Sequence, residues 1–351
     1  MAYTTIDDPS AHFQTITYSG NGASRSITNT GNSDLKPDLV WIKERNNAVS
    51  HRIFDSSRGA TKRMFSNNND AESTQSNSLT AFNTDGFSLG DGGSVNGGSD
   101  TYVAWQWAAN GGTTSSNSDG DITATVQANT TAGFSIMTWT SNNADDQTIG
   151  HGLGAAPEVF WVKIRDATGS WYCYFKEAGA THYLSLNSTD AKVNNVLWGD
   201  THPTSSVITV DTNSLSGSTP TVVSYAFKQI QGYSKFGSYK GNITSGSDGT
   251  FVYTGFKPAW IMVKSSSNAG QEWVIFDNKR DTFNQMDAWL YANANTAEDS
   301  TGDERDVDFL SNGFKFRNAG GPTTYDGRTY IYLAFAEHPF VSSKGVPVTA
   351  R

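Results

Sequence analysis

A single cysteine, Cys173, stands in a chain of 351 residues, so no intramolecular disulfide can staple it and no thiolate cluster can hold zinc. Stability has to come from packing or from assembly. No stretch approaches the roughly 18 apolar residues of a membrane span, and Met1-Ala2-Tyr3-Thr4-Thr5-Ile6-Asp7-Asp8-Pro9 lacks the basic start and apolar core of a signal peptide. The expectation is a chain made in the cytoplasm and not inserted into a membrane. Dense runs of Lys or Arg are missing too, and 34 acidic against 25 basic side chains give a formal charge of −9, which argues against nucleic acid as a partner. The six histidines, His12, His51, His151, His182, His202 and His338, lie far apart with no His-x-x-x-His pair. No metal ligand set, catalytic residue or cofactor is expected from them.

What the chain does have is aromatic side chains: 10 Trp, 14 Tyr and 19 Phe, enough bulk to close several small cores. Ser, Thr, Asn and Gly crowd the segments between apolar stretches, and these residues favour turns and strand connections over helix interiors. The length exceeds what one core usually serves, since domains of about 100–150 residues are the commonest. Two or three mainly β domains follow.

Laid on itself, the chain shows a threefold internal repeat. Pro37-Asp38-Leu39-Val40-Trp41-Ile42-Lys43 returns as Pro157-Glu158-Val159-Phe160-Trp161-Val162-Lys163 and again as Pro258-Ala259-Trp260-Ile261-Met262-Val263-Lys264. Between the first two copies the register holds without a gap from Leu35 to Ala71, pairing His51 with Trp171 and Phe54 with Tyr174. Ile53-Phe54-Asp55-Ser56-Ser57-Arg58 reappears as Ile275-Phe276-Asp277-Asn278-Lys279-Arg280, each followed by a polar stretch ending in Ala-Glu, at Ala71-Glu72 and Ala297-Glu298. Every copy opens and closes on strands of alternating character, the closing ones carrying Trp105, Phe227 and Phe335. In the proline-led strand Leu39, Val40, Trp41 and Ile42 are all apolar, as expected of a central strand covered on both faces. Asp85-Gly86, Asn312-Gly313, Asp119-Gly120 and Asp248-Gly249 supply hairpin turns.

The resulting expectation is all-β: three tandem β-sandwich modules, jelly-roll or lectin-like. They are placed at residues 13–109, 132–231 and 232–338, after an N-terminal arm at 1–12 and before a C-terminal tail at 339–351. Residues 110–131, nearly all Gly, Ser, Thr, Asn, Asp and Ala apart from Ile122, Val126 and Gln127, read as a linker outside both neighbouring cores. No such spacer separates the second and third copies, which predicts a tighter junction.

An aromatic matched in another copy is expected in the shared core, which assigns Trp41, Trp161, Trp260, Trp105, Phe227 and Phe335 to structure. In that alignment Trp107 falls opposite Gln229 and Glu337, and Trp198 has no counterpart. These two are the candidates for an interface or for stacking on a glycan, against the alternative of local packing under a loop. Gly150-His151-Gly152-Leu153-Gly154 precedes a strand and reads as a tight connection rather than a phosphate loop. The carboxylate pairs Asp145-Asp146 and Asp303-Glu304 sit in polar loops, where solvated acids are the usual case. Neither Asp299, Asp303 and Asp306 nor Asn117, Asp119 and Asp121 completes a calcium loop with its terminal Glu. Asp55 with Arg58 and Asp277 with Arg280 recur in two copies and give way to Phe175 and Ala178 in the second, as a turn-fixing salt link would.

Tyr3-Thr4-Thr5-Ile6-Asp7-Asp8-Pro9 with Phe13-Gln14, the phrase from Pro37 to Lys43, and Tyr102-Val103-Ala104-Trp105 resemble repeat modules in virion and tail-fibre proteins of marine bacteriophages, those of cyanobacteria included. The resemblance implies a virion structural protein, a capsid decoration or tail-fibre subunit made in the host cytoplasm and assembled with other virion proteins. It also implies homo-oligomers, trimers among them. A host-surface glycan-binding adhesin is the alternative it carries, and a polysaccharide depolymerase the one with least support. It supplies no catalytic residues.

Overall fold

In the computed structural model, which describes residues 2–246, 248–301, 305–318 and 320–348, the three repeats share the same run of four antiparallel strands, which is the whole sheet in the first repeat and part of an eight-stranded sheet in the second and a five-stranded one in the third. The order of the run is opening, closing, proline-led and return strand. These are Phe13–Ser19, Thr101–Trp107, Leu39–Glu44 and Arg52–Asp55 in the first repeat. The second uses Phe134–Thr140, Thr221–Phe227, Val159–Ile164 and Tyr172–Phe175. The third uses Ser234–Lys240, Thr329–Pro339, Phe256–Ser265 and Val274–Asp277. The chain is all-β apart from four short helical turns among the described residues.

Successive side chains of a strand point to opposite faces, and in the proline-led strands both faces are buried. Val40 and Ile42 turn outward with Phe54 and Tyr102, onto a small sheet of Arg25–Ile27, Phe87–Leu89 and Leu79–Phe82. The second repeat has its own cover in Gln147–Gly150 and Val207–Val210, and the third in Phe251–Tyr253, Gly313–Phe316 and Val307–Leu310. Leu39 and Trp41, Val159 and Trp161, and Trp260 and Met262 turn the other way and meet in a single interior. Trp41 meets Trp161 edge-on with ring centroids 6.1 Å apart, Trp105 meets Trp260 at 6.5 Å, and Phe227 meets Phe335 at 6.2 Å. The repeats are therefore not separate beads: each keeps an outer core and contributes one sheet to a common inner one.

The seams repeat cyclically. The residue before each return strand reaches the preceding repeat: the Trp171 indole donates to the Phe65 carbonyl at 2.7 Å, and the Trp273 indole to that of Ser185 at 3.0 Å. His51 Nε2 lies 2.9 Å from the Tyr291 carbonyl, which closes the ring from the first repeat to the third. A backbone bond recurs likewise, from Glu72 to Arg165, Lys192 to Ser266 and Glu298 to Arg45. Lys163 and Lys264 donate across their seams to the carbonyls of Asn69 and Thr189, while Lys43 stays within its own repeat. Burial pushes all three ammonium groups down to about 8.

Two of the seams carry a buried ion network. Asp55 and Arg58, fully buried, form a pair that also takes Tyr225 of the second repeat, whose hydroxyl donates to Asp55 at 2.6 Å. Glu72 joins Arg58 at 3.0 Å to Arg165 at 3.0 Å across the seam. The other network repeats this with Asp277 and Arg280 at 2.6 Å, the Trp105 indole on Asp277 at 3.0 Å, and Glu298 between Arg280 and Arg45. Burial alone would raise the carboxyls of Glu72 and Glu298, but the guanidinium groups outweigh it and hold both below the usual range. The salt link expected to fix a turn does so, with the Arg58 amide donating to Asp55 at 2.8 Å, and it also joins repeats. In the third seam Phe175 stands in place of the Asp and packs on Trp273 with centroids 5.9 Å apart.

Two expectations need correction. Residues 110–131 are not a spacer: Ser115–Asn117 and Ala124–Asn129 extend the second repeat's sheet beside its opening strand. Ile122, Ala124 and Val126 alternate into that repeat's outer core, a pattern masked by the small size of most of its neighbours. The alignment of the closing strands also shifts by two residues. Leu39 faces Trp107, Val159 faces Phe227 and Trp260 faces Phe335. Trp107 is thus the counterpart of Phe227 and Phe335, and Trp105 that of Tyr225 and Leu333. The arm and tail are packed as well: Ile6 enters the inner core, the Thr4 hydroxyl donates to the Gln231 carbonyl at 2.8 Å, and the Ser343 amide donates to Asp7 at 2.6 Å.

Asp277→Ala leaves Arg280 buried and removes the acceptor of Trp105, so a loss of about 3–5 kcal/mol is expected in urea unfolding. Circular dichroism and tryptophan fluorescence should fall in one transition, because the inner core is common; a transition confined to a third of the signal would contradict that. A second expectation concerns acid. His51 is fully buried and beside Lys43, and both effects hold its imidazole well below its ordinary value. The unfolded chain therefore takes up a proton near pH 6.5 that the folded one refuses, and stability present above that pH is lost below it, by up to about 1.4 kcal/mol per pH unit. The stability of wild type relative to His51→Gln should fall between pH 7.5 and 5.5; parallel profiles would show that His51 is not held neutral.

Candidate functional site on the third repeat

All ten tryptophans are buried, which decides against both sequence candidates. Trp107 is 1% exposed and packs on Phe13, Trp260 and Phe335 at 5.0, 5.8 and 5.6 Å in the inner core. The two-residue offset of the closing strands hides its partners in the sequence. Trp198 is 0% exposed, edge-on to Phe160 at 4.7 Å, with its indole donating to the His182 carbonyl at 2.9 Å. It is packing under a loop, and neither ring can meet a sugar or a partner in this fold. Trp41, Trp161, Trp260, Trp105, Phe227 and Phe335 all lie in the inner core.

The polar candidates are not brought together either. Asp145 and Asp146 are exposed in a loop, and Asp303 and Glu304 lie outside the described residues. Among the described residues no three His, Cys, Asp or Glu side chains gather as a metal would need. Asn117 donates to Asp119 at 3.1 Å, and Asp121 accepts from the Thr148 hydroxyl at 2.6 Å, so these groups shape a turn.

Exposed apolar bulk is concentrated instead. The exposed large apolar side chains among the described residues are Val196, Phe251, Tyr253, Phe283, Tyr325, Val346 and Val348, and only Val196 lies outside the third repeat and its tail. The sister repeats act as a control. Ile27 faces Phe87 across the first small sheet, and Val252 faces Phe314, the matched residue, across the third. Phe251 and Tyr253 therefore occupy the places of Ser26 and Thr28, both exposed. At 43% and 55% exposure they answer no packing need of the fold. Their strand is at the edge of its sheet, and the Tyr3 hydroxyl donates to the Gly255 carbonyl at 2.7 Å just beyond it.

A second feature also belongs to the third repeat alone. Ile53 bridges Met64, Cys173 pairs with Leu184, and Ile275 pairs with Leu290. The connection from Asp277 to Leu290 is thus four residues longer than those from Asp55 to Met64 and from Phe175 to Leu184. The longer loop carries Phe283, 77% exposed, and with Phe309, Leu310, Lys257 and Val348 walls a cleft of about 460 Å³. Asn278 and His338 line both this cleft and a neighbouring hollow of about 180 Å³ against the first repeat. Sequence reasoning missed Phe251, Tyr253 and Phe283; carrying the repeat comparison into the small sheets and the loop lengths would have found them.

These features define a single-chain β protein of three repeats closed around one core, with its exposed apolar groups on one repeat. Residues 8–339 match, as one unit, the family described as a domain of unknown function, DUF7483, and the chain belongs to that family. No curated protein and no solved structure matches it. Trp198→Ala should cost about 3–5 kcal/mol in urea unfolding, whereas Phe283→Ala should change stability by less than about 0.5 kcal/mol; comparable losses in the two variants would mean that Phe283 packs in the fold.

Proposed function

We propose that this protein is a non-enzymatic structural component of a bacteriophage particle, a capsid decoration or tail-fibre subunit displayed on its surface. It attaches to another virion protein through the outer small sheet of its third repeat. The observation that carries the attachment is the pair Phe251 and Tyr253, set outward on an edge strand where the matched positions of the first repeat are Ser26 and Thr28. An exposed apolar edge strand invites pairing with another chain, and aromatic side chains are enriched at protein interfaces. The phage setting rests on the resemblance of the repeat phrases to marine virion proteins. The closed ring of repeats fits the role, since all the exposed large apolar side chains among the described residues except Val196 fall on the third repeat and its tail.

The test is co-sedimentation of the tagged chain with phage particles on a density gradient. Wild type should travel with the particles. Phe251→Ser with Tyr253→Thr, the first repeat's own residues, should stay in the soluble fraction with an unchanged unfolding midpoint. Equal association of both proteins would remove this edge as the docking surface, and absence of the wild type from particles would remove the virion reading.

A further inference from the structure

We infer that the cleft beneath the third repeat's longer loop is a saccharide site, taking a short uncharged glycan with one sugar ring on Phe283. The inference does not depend on the docking edge, which is a different strand. Phe283 stands on an insertion that neither sister repeat needs to complete the same strand pair. A loop kept longer than the fold requires, ending in a phenyl ring 77% exposed, offers an apolar plate to a ligand.

The chemistry around that plate favours a hydroxyl-rich, uncharged partner. Lys257 is already paired with Glu337 at 2.6 Å, and Asp281 accepts the Asp287 amide at 2.8 Å, so the charges on the wall are engaged within the chain. Asn278 and His338 line both the cleft and the smaller hollow, so an amide and an imidazole are common to the two. The lining of that hollow also includes Thr15, whose hydroxyl is buried and makes no hydrogen bond within the chain. A buried hydroxyl in that state is costly unless something bonds it. The cleft itself, at about 460 Å³, lies within the usual range of about 300–1,000 Å³ for small-ligand sites, and it offers an aromatic ring with amide and imidazole groups beside it. A sugar has both the apolar ring face and the hydroxyl edge that this arrangement matches. A peptide strand would instead use the free sheet edge at Phe251–Tyr253.

The experiment is saturation-transfer NMR on the full chain with lactose, maltotriose and chitotriose, each on the order of 10 mM, where millimolar binding is visible. Transfer to the ring protons of at least one sugar is expected. Phe283→Ala should weaken it about tenfold, Phe283→Trp should retain it, and the Phe251→Ser, Tyr253→Thr protein should bind sugar as wild type does. Transfer to none of the three sugars, or transfer indifferent to Phe283→Ala, overturns the inference. If no sugar binds and Phe283→Ala releases the chain from particles, the cleft is a protein contact and the saccharide site falls, while the docking reading is extended rather than lost.

Discussion

An apolar sheet face cannot be left in water, and the four shared strands of each repeat's sheet have two. Strand periodicity sends Val40 and Ile42 one way and Leu39 and Trp41 the other, so a single cover sheet satisfies only half of the burial. The cover is supplied locally, within about 100 residues of each repeat. The other half is satisfied only when three sheets meet, because a repeat alone would expose Trp41 and Trp105, or Trp161 and Phe227, or Trp260 and Phe335. Burying a large aromatic is worth on the order of 2–3 kcal/mol relative to leaving it exposed, which makes the repeat an incomplete unit and the ring of three the smallest complete one. That the family match runs unbroken from residue 8 to 339 agrees with this.

The seams solve one geometric problem twice with charge and once without. Asp55 with Arg58 and Asp277 with Arg280 sit fully buried, where desolvation offsets most of what the ion pair gains, and well-packed apolar residues can serve equally well. Phe175 against Trp273 is that apolar solution inside the same molecule. The charged seams are still fussier about their neighbours: Tyr225 and Trp105 donate to the buried carboxylates, and Leu333, at their place in the third repeat, could not. An exchange of seams would strand a charge or a donor.

The repeat itself and the all-β class were legible because Pro-led strands, Asp-Gly and Asn-Gly turns and matched aromatics are local signals. The shared interior was not, since a strand buried on both faces reads the same whether its second cover is a sister sheet or a private one. Residues 110–131 look like a spacer in the sequence because alanines do not show as an apolar alternation, although Ile122, Ala124 and Val126 lie two apart. Trp107 and Trp198 stand out in the sequence as rarities among the repeats, but rarity there is not exposure. Rarity was the right clue at Phe251, Tyr253 and Phe283, where the sister positions are polar or missing altogether.

The chain crosses two of the three seams, through residues 108–114 and 228–233. The seam between third and first repeats has no such connection, and contacts such as Arg45 on Glu298, Trp105 on Asp277 and Phe13 on Phe335 close it. A threefold assembly of separate subunits comes apart on dilution, since its closure depends on protomer concentration. Here the partners of the open seam are tethered to one another, so closing it is an intramolecular event at high effective concentration. The ring keeps the geometry of a trimer at a copy number of one, and a lone molecule far from any other retains it.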